Sequence, residues 1–374
     1  MRNLLLASVA AIGLSMGAIP VWAQSLDNQS EIQQAGSGNQ ATVEQSGTLN
    51  RAFGRSQGNG NTIRQTQSGT GGSIRTNQYT SGNTANATQA NAGGGRIFQT
   101  QQRGDNNTAN ATQTDIGVGT VDIEQVQNGT SNNATASQTQ VSNSRIGQNQ
   151  NGDRGTVTAT MGANASGATI QQTQGGAENK ASASVFGTQV AYIEQTQEGT
   201  GNEAAAATVF GGNLTIRQTQ GGGSGNIATA SLANGNNHSI TQTQNGSGNY
   251  ALATTSSASD GYINQNQTGV NNRATAQQNG GNGNTISQTQ NGSGNVSFAY
   301  QGVAGGRADS SSITHNQSGD GNTATSNQGG GTGMIASITQ IGNGNTGTTS
   351  QIGTTLSAII SQNGSNNTAT ITQK

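Results

Sequence analysis

The sequence contains no cysteine and a single proline, Pro20, and only 8% of its 374 residues are charged. Without cysteine there is neither a disulfide nor a thiolate metal ligand, so packing and hydrogen bonds must hold whatever fold forms. With no proline after residue 20, no later strand is broken for want of a backbone donor. Aromatic residues are 3% and hydrophobic residues 28% of the chain, too few to fill a thick globular core. A net charge of −1 does not keep a chain open by repulsion, and it offers no basic stripe for a phosphate backbone, so no nucleic-acid partner is expected. After the first two dozen residues no apolar run is long enough to span a bilayer as a helix.

What is present is glycine, 59 of them, together with many glutamines, asparagines and threonines in a repeating order. Its clearest copy is Ile240-Thr241-Gln242-Thr243-Gln244-Asn245-Gly246-Ser247-Gly248-Asn249-Tyr250-Ala251-Leu252-Ala253. Period-two alternation puts Ile240, Gln242 and Gln244 on one face of a strand, and Asn249, Ala251 and Ala253 on one face of the next. The leading isoleucine recurs at Ile74, Ile97, Ile123, Ile146, Ile170, Ile193, Ile216, Ile240, Ile263, Ile286, Ile313, Ile338 and Ile360. A fixed period of about 23 residues means stacked repeats, so the expected fold is all-β, a cross-β, amyloid-like β-solenoid of strand-turn-strand rungs. Ordering about 23 residues costs roughly 1 to 2 kcal/mol each, whereas burying one isoleucine returns about 1.5 to 3 kcal/mol, so no rung stands without neighbours.

Stacking predicts an isoleucine column and an amide ladder through Gln65, Gln125, Gln172, Gln195, Gln218, Gln242, Gln265 and Gln288. A facing layer is expected from the pairs Ala85/Ala87, Ala109/Ala111, Ala134/Ala136, Ala181/Ala183, Ala204/Ala206, Ala228/Ala230, Ala251/Ala253 and Ala274/Ala276. A second turn is expected at Gly58-Asn59-Gly60-Asn61 before Ile63, at Gly235-Asn236-Asn237 and at Gly281-Asn282-Gly283-Asn284. Both ends carry a shorter form in which the isoleucine's face holds one glutamine before the glycine turn instead of two, at Ile32-Gln33-Gln34, Ile338-Thr339-Gln340 and Ile360-Ser361-Gln362. At the amino terminus, Arg2, the apolar run Leu4 to Ile19 and the small-residue signal Val21-Trp22-Ala23 predict a secretory signal peptide over 1–23, leaving 24–374 as the repeat domain.

The order Gln-x-Gly-x-x-Asn-x-Ala-x-x-x-Gln appears as Gln34-Gly36-Asn39-Ala41-Gln45, Gln127-Gly129-Asn132-Ala134-Gln138, Gln267-Gly269-Asn272-Ala274-Gln278 and Gln362-Gly364-Asn367-Ala369-Gln373. It resembles the curlin repeat of bacterial curli subunits. The resemblance implies a secreted structural subunit of an extracellular amyloid fibre at the bacterial surface, serving adhesion and biofilm matrix. It further implies self-association, a nucleator subunit and an outer-membrane secretion pore as partners. Residues expected in the structural ladders are Ile123, Gln125, Gln127, Asn132, Gln138, Ile216, Gln218, Gln220, Ile240, Gln242, Gln244, Asn249, Ile263, Gln265, Gln267, Asn272, Gln278, Gln362, Asn367 and Gln373. The middle repeats depart from the family in placing glutamine where a second apolar residue is common, as at Gln218 and Gln242, and the glycine-rich leader associated with the curli pore is not evident.

No catalytic constellation is expected, and no cofactor. His238 falls in a turn and His315 at a glutamine-ladder position, neither with a carboxylate or cysteine at ligand spacing, so no metal is expected. Asp105, Asp153, Asp260, Asp309 and Asp320 read as out of register, against a calcium-binding β-roll. Arg103-Gly104-Asp105 matches an adhesion tripeptide whose glycine the repeat already requires, and Glu124 and Glu194 read as outward, solubilising charges. The alternative function is an ice- or glycan-binding solenoid that forms no fibre and uses the outward threonines Thr66, Thr173, Thr196, Thr219, Thr243 and Thr289, a column interrupted at Val126, Asn149 and Asn266.

Overall fold

The computed structural model describes residues 22–24, 27–117, 119–302 and 306–374. The expected signal peptide up to residue 21 lies outside them. Among the described residues every regular element is a β-strand, and the chain divides into two compact units, Met1–Gly187 and Thr188–Lys374.

In the first unit the strands Gln29–Ala35, Arg51–Gln57, Ser73–Gln78, Arg96–Gln101, Asp122–Gln127, Arg145–Asp153 and Thr169–Ala177 pair in that order, all parallel, as one layer. Their alternates form a second parallel layer: Gln40–Ser46, Thr62–Thr70, Thr84–Gly93, Thr108–Thr114, Asn133–Thr139, Thr156–Gly162 and the start of Lys180–Thr200. One strand from each layer makes one rung, so each unit is a β-solenoid. The second unit repeats the plan, with Ile216 opposite Ile240, Ile240 opposite Ile263 and Ile263 opposite Ile286 in the first layer. Ala228, Ala251 and Ala274 stack likewise in the second.

The core is thin, and it lies between the layers. In Ser239–Ser247 the side chains of Ile240, Gln242 and Gln244 are buried while Thr241 and Thr243 face outward, as the alternation predicts. The lead isoleucines from Ile74 to Ile313 are all buried, as are the expected alanine pairs. The small alanines let the second layer come close to the large side chains of the first.

Sharp turns join the layers, and they select glycine twice over. Gly246 and Gly269 sit at φ +106° and +114°, and a Cβ on either would stand 2.1 and 2.0 Å from the carbonyl oxygen of the glycine one rung on. No L side chain fits that conformation in that space.

Two stretches are phased differently from expectation. The Gly58–Asn61 turn is the first turn of its rung: the Asn61 amide donates to Asn39 Oδ1, and Ile63 stacks between Ala41 and Ala85 in the second layer. Gln65 therefore lies opposite Val43 and Ala87, outside the glutamine ladder, and bonds Phe53 O and Thr76 Oγ1 instead. Thr66 leaves the threonine column with it, opposite Glu44 and Thr88. Ile338 and Ile360 are not the lead isoleucines of their rungs. Ile313 is continued by Ala336 and Ala358, whereas Ile338 stands opposite His315 in the first glutamine column and Ile360 stands opposite Ile338. At the amino-terminal end Ile32 likewise lies in that column, opposite Gly54, with Ser30, Ala52 and Ile74 in the lead column. At both ends the rung keeps its apolar bulk by exchanging Ile-then-Gln for small-then-Ile.

Candidate functional site: internal ladders and open edges

Three glutamine columns run through the core. In the first layer of the second unit, Nε2 of Gln195 donates to Oε1 of Gln218, Gln218 to Gln242, Gln242 to Gln265 and Gln265 to Gln288, each at 2.8 Å. The neighbouring column passes from Gln197 through Gln220, Gln244, Gln267, Gln290, Gln317 and Gln340 to Gln362 at 2.8 to 2.9 Å. In the first unit the corresponding columns link Gln99, Gln125, Gln148 and Gln172, and Gln78, Gln101, Gln127, Gln150 and Gln174. The third column belongs to the second layer. It passes from Gln45 through Gln67, Gln89 and Gln113 to Gln138, where Met161 Sδ takes the next bond, and in the second unit it runs from Gln278 through Gln301, Gln328 and Gln351 to Gln373.

These ladders have a direction. Most of these Nε2 groups also donate across the core to a carbonyl of the facing layer, as Gln242 does to Thr229 O at 2.9 Å and Gln362 to Thr346 O at 3.0 Å. An amide flipped end for end would set two oxygens against each other, so the backbone carbonyl fixes which way such an amide points. Every amide dipole in a column then points the same way, and each bond strengthens the next.

Asparagine plays a separate part, which the spacing alone does not disclose. At the first turn Asn249 Nδ2 donates to Gly269 O at 2.9 Å, closing the turn to the next rung, and its Oδ1 accepts the backbone amide of Asn272 at 3.0 Å. Asn132 does the same for Gly152 O and for the amide of Gly155, the glycine that stands in that turn in place of asparagine. Asn272 passes the pattern on through Asn295, Asn322 and Asn345 to Asn367. These bonds join side chain to backbone, whereas the glutamine ladders join side chain to side chain.

Both histidines are structural members of this network. His238, buried, donates from Nε2 to Ala258 O at 2.7 Å and accepts the Gly261 amide at Nδ1, which is the asparagine role in the second turn. His315 fills the ladder position after Gln288. Gln288 Nε2 donates to Ser297 Oγ, leaving that hydroxyl to donate to His315 Nδ1 at 2.8 Å, and Nε2–H of the imidazole then donates to Ser326 Oγ at 2.7 Å. Burial holds the imidazole down at about 3 from its ordinary 6.5, so it is neutral.

The acids are placed by the turns. Asp105 accepts the Ser81 amide at 2.9 Å, Asp153 the Thr130 amide at 2.7 Å and Asp320 the Ser293 amide at 2.8 Å. These three occupy one recurring turn position, contrary to the expectation that the aspartates fall out of register, and their carboxylates are used on the neighbouring rung's backbone. Asp105 of the Arg-Gly-Asp tripeptide is among them. Glu124 and Glu194 face outward as expected, and each pairs with an arginine of the next rung, Arg145 at 2.5 Å and Arg217 at 3.4 Å. Among the described residues no group of three or more His, Cys, Asp or Glu is placed to hold a metal.

The rungs that end the described chain are open. Ser357–Asn363 pairs on one side only, with Ile335–Ile341, and Thr368–Gln373 on one side only, with Thr346–Ile352. Gln29–Ala35 pairs only with Arg51–Gln57, and Gln40–Ser46 carries on its other side the three-residue strand Trp22–Gln24.

No curated protein matches the chain. A family model does, over residues 342–374: the curlin associated repeat. That segment holds Thr346–Ile352 and both strands of the last rung, with Gln362, Gly364, Asn367 and Gln373 at the ladder and turn positions described above. The carboxy-terminal rungs of this chain, residues 342–374, are thus similar to the curlin associated repeat.

Proposed function

We propose that the protein is a non-enzymatic structural subunit of an extracellular, curli-like amyloid fibre, secreted after loss of residues 1–23 and acting in adhesion and biofilm matrix. A nucleator subunit and an outer-membrane secretion pore are its proposed partners. The observation that carries this reading is the match between the two open edges. Laid on the amino-terminal rung of a second copy, the last rung sets Ala358 on Ser30, Ile360 on Ile32 and Gln362 on Gln34 in one layer, and Ala369 on Ala41, Ile371 on Val43 and Gln373 on Gln45 in the other. The amide direction supports the same docking. Gln373 has already accepted its bond from Gln351, so it offers N–H to the Gln45 carbonyl, which begins its own ladder. Growth of this kind is head to tail and continues the fold at the same ~4.8 Å step.

The test is a proline at Thr370. Thr346 donates its amide to Asn367 O, and alternation along Thr368–Gln373 turns the Thr370 N–H to the open side. Thr370→Pro removes a docking donor while leaving the internal bonds to Thr346–Ile352 in place. The folded variant, with strands confirmed by circular dichroism, is expected to add to the ends of wild-type fibres yet block further growth there. Elongation at the wild-type rate would show that this edge is not the growing interface.

A further inference from the structure

A net charge of −1 conceals a concentration of positive charge. Arg51, Arg55, Arg64, Arg75, Arg96 and Arg103 all lie within 51–103, a stretch with no aspartate or glutamate. Register places four of them on the outer face of the first layer. Arg51 and Arg96 flank Ser73 in one column, Arg75 stands between Phe53 and Phe98 in the next, and Arg55 is opposite Asn77 in the third. Arg75 is thus the centre of a lattice whose other members are one rung and two residues away, about 8 Å at ordinary strand geometry.

Aromatic rings hold the guanidiniums in place. The Arg75 guanidinium lies 5.2 Å from the Phe53 ring centre and 5.8 Å from that of Phe98, and Arg55 lies 5.4 Å from Tyr79. A guanidinium stacked this way keeps its N–H edge free for a carboxylate. Among the described residues Arg51, Arg55 and Arg75 have no carboxylate in ion-pair range, and Arg96, paired with Asp122, still has 65% of its side chain exposed. Beside them opens a hollow of about 630 Å³ between Glu31, Arg51, Phe53 and Arg75. Glu31 marks its margin, where its Oε1 accepts from Gln33.

We propose that this face binds a linear acidic polysaccharide whose carboxylates pair with Arg51, Arg75 and Arg96. A flat lattice of cations at strand spacing suits an extended polymer with charges at regular intervals. Nucleic acid suits it less. The guanidiniums of Arg55 and Arg75 already stack on Tyr79, Phe53 and Phe98 and compete with bases for those rings, and a flat sheet face enters neither groove of a duplex.

The experiment measures binding of the full chain to polygalacturonate, to neutral dextran and to duplex DNA at low and high salt. Polygalacturonate is expected to bind, to weaken as salt rises and to exceed the other two. The triple variant Arg51→Gln, Arg75→Gln, Arg96→Gln should bind it about tenfold more weakly, with Arg75→Lys between it and wild type. The charge-matched control Arg217→Gln, Arg273→Gln, Arg307→Gln should bind as wild type does. The proposal is overturned if the two triple variants lose equally, if dextran binds as well, or if duplex DNA binds more tightly through the same arginines. Should the first triple variant lose its strand signal, Arg75→Lys decides, since unchanged affinity in that variant overturns the proposal as well.

Discussion

Ile240 and Thr243 are three residues apart and belong to opposite environments. Ile240 is fully buried in a column of isoleucines, and Thr243 faces outward between Thr219 and Asn266. Ile240→Asp places a carboxylate where no donor awaits it, which is expected to cost on the order of 3 kcal/mol or more, whereas Thr243→Asp should cost about 0.5 kcal/mol or less. A dye-binding assembly assay checks the pair, with strong delay expected for the first and near-normal growth for the second. Equal effects would mean that the inward and outward faces are wrongly assigned.

His315 gives the protein a sensitivity to acid. It is faced by Ser297, Ser326, Gln288 and Ile338, none of them ionisable, and in the fold it stays neutral down to about pH 3. The unfolded chain takes up the proton near pH 6.5. Between those values the unfolded state binds more protons, so stability present above pH 6.5 is lost as pH falls through the window, by up to about 1.4 kcal/mol for each pH unit, and the loss levels off below about pH 3. His315→Gln removes this titration and keeps a side chain that can donate and accept. Denaturant midpoints compared at pH 7 and pH 4 should fall further for wild type than for the variant, and parallel declines would assign the acid sensitivity elsewhere.

At the scale of the strand, edges matter more than interiors. Trp22–Gln24 pairs in parallel with Glu44–Ser46 on the side of Gln40–Ser46 that would otherwise be open. The proposed cleavage after Ala23 removes all but Gln24 of that strand and uncovers the amino-terminal edge. A chain beginning at Gln24 is therefore expected to join the growing end of wild-type seeds faster than the full-length chain, measured as elongation rate at equal concentration. Equal rates would show that Trp22–Gln24 does not guard the edge.

Strand phase is legible wherever alternation is clean, and so the middle rungs read correctly from Ile123 to Gln127 and from Ile216 to Gln290. It fails between residues 50 and 74 because Gly58-Asn59-Gly60-Asn61 has the composition of either turn, and Ile63 fits the second layer as well as the first. Only pairing with Ala41 and Ala85 decides between them. Ile338 fails for a related reason: an isoleucine two residues before a glutamine reads as a lead position until it is seen to stack on His315.

Taken whole, the molecule separates what pattern can specify from what contact must settle. Period and alternation in the sequence determined a β-solenoid with an isoleucine column, amide ladders and alanine pairs, because each rung can bury its thin core only against an identical neighbour. Composition also determined that the core would be hydrogen-bonded amide as much as hydrocarbon. Three things were decided by tertiary structure alone. The direction of the glutamine ladders depends on carbonyls of the facing layer, which no single strand displays. The histidines and aspartates take asparagine-like or ladder roles according to which amide or hydroxyl the next rung brings within reach. The arginine lattice exists because register sets Arg51, Arg75 and Arg96, each more than 20 residues from the next, on neighbouring strands of one face, where a sum of charges along the chain records only −1.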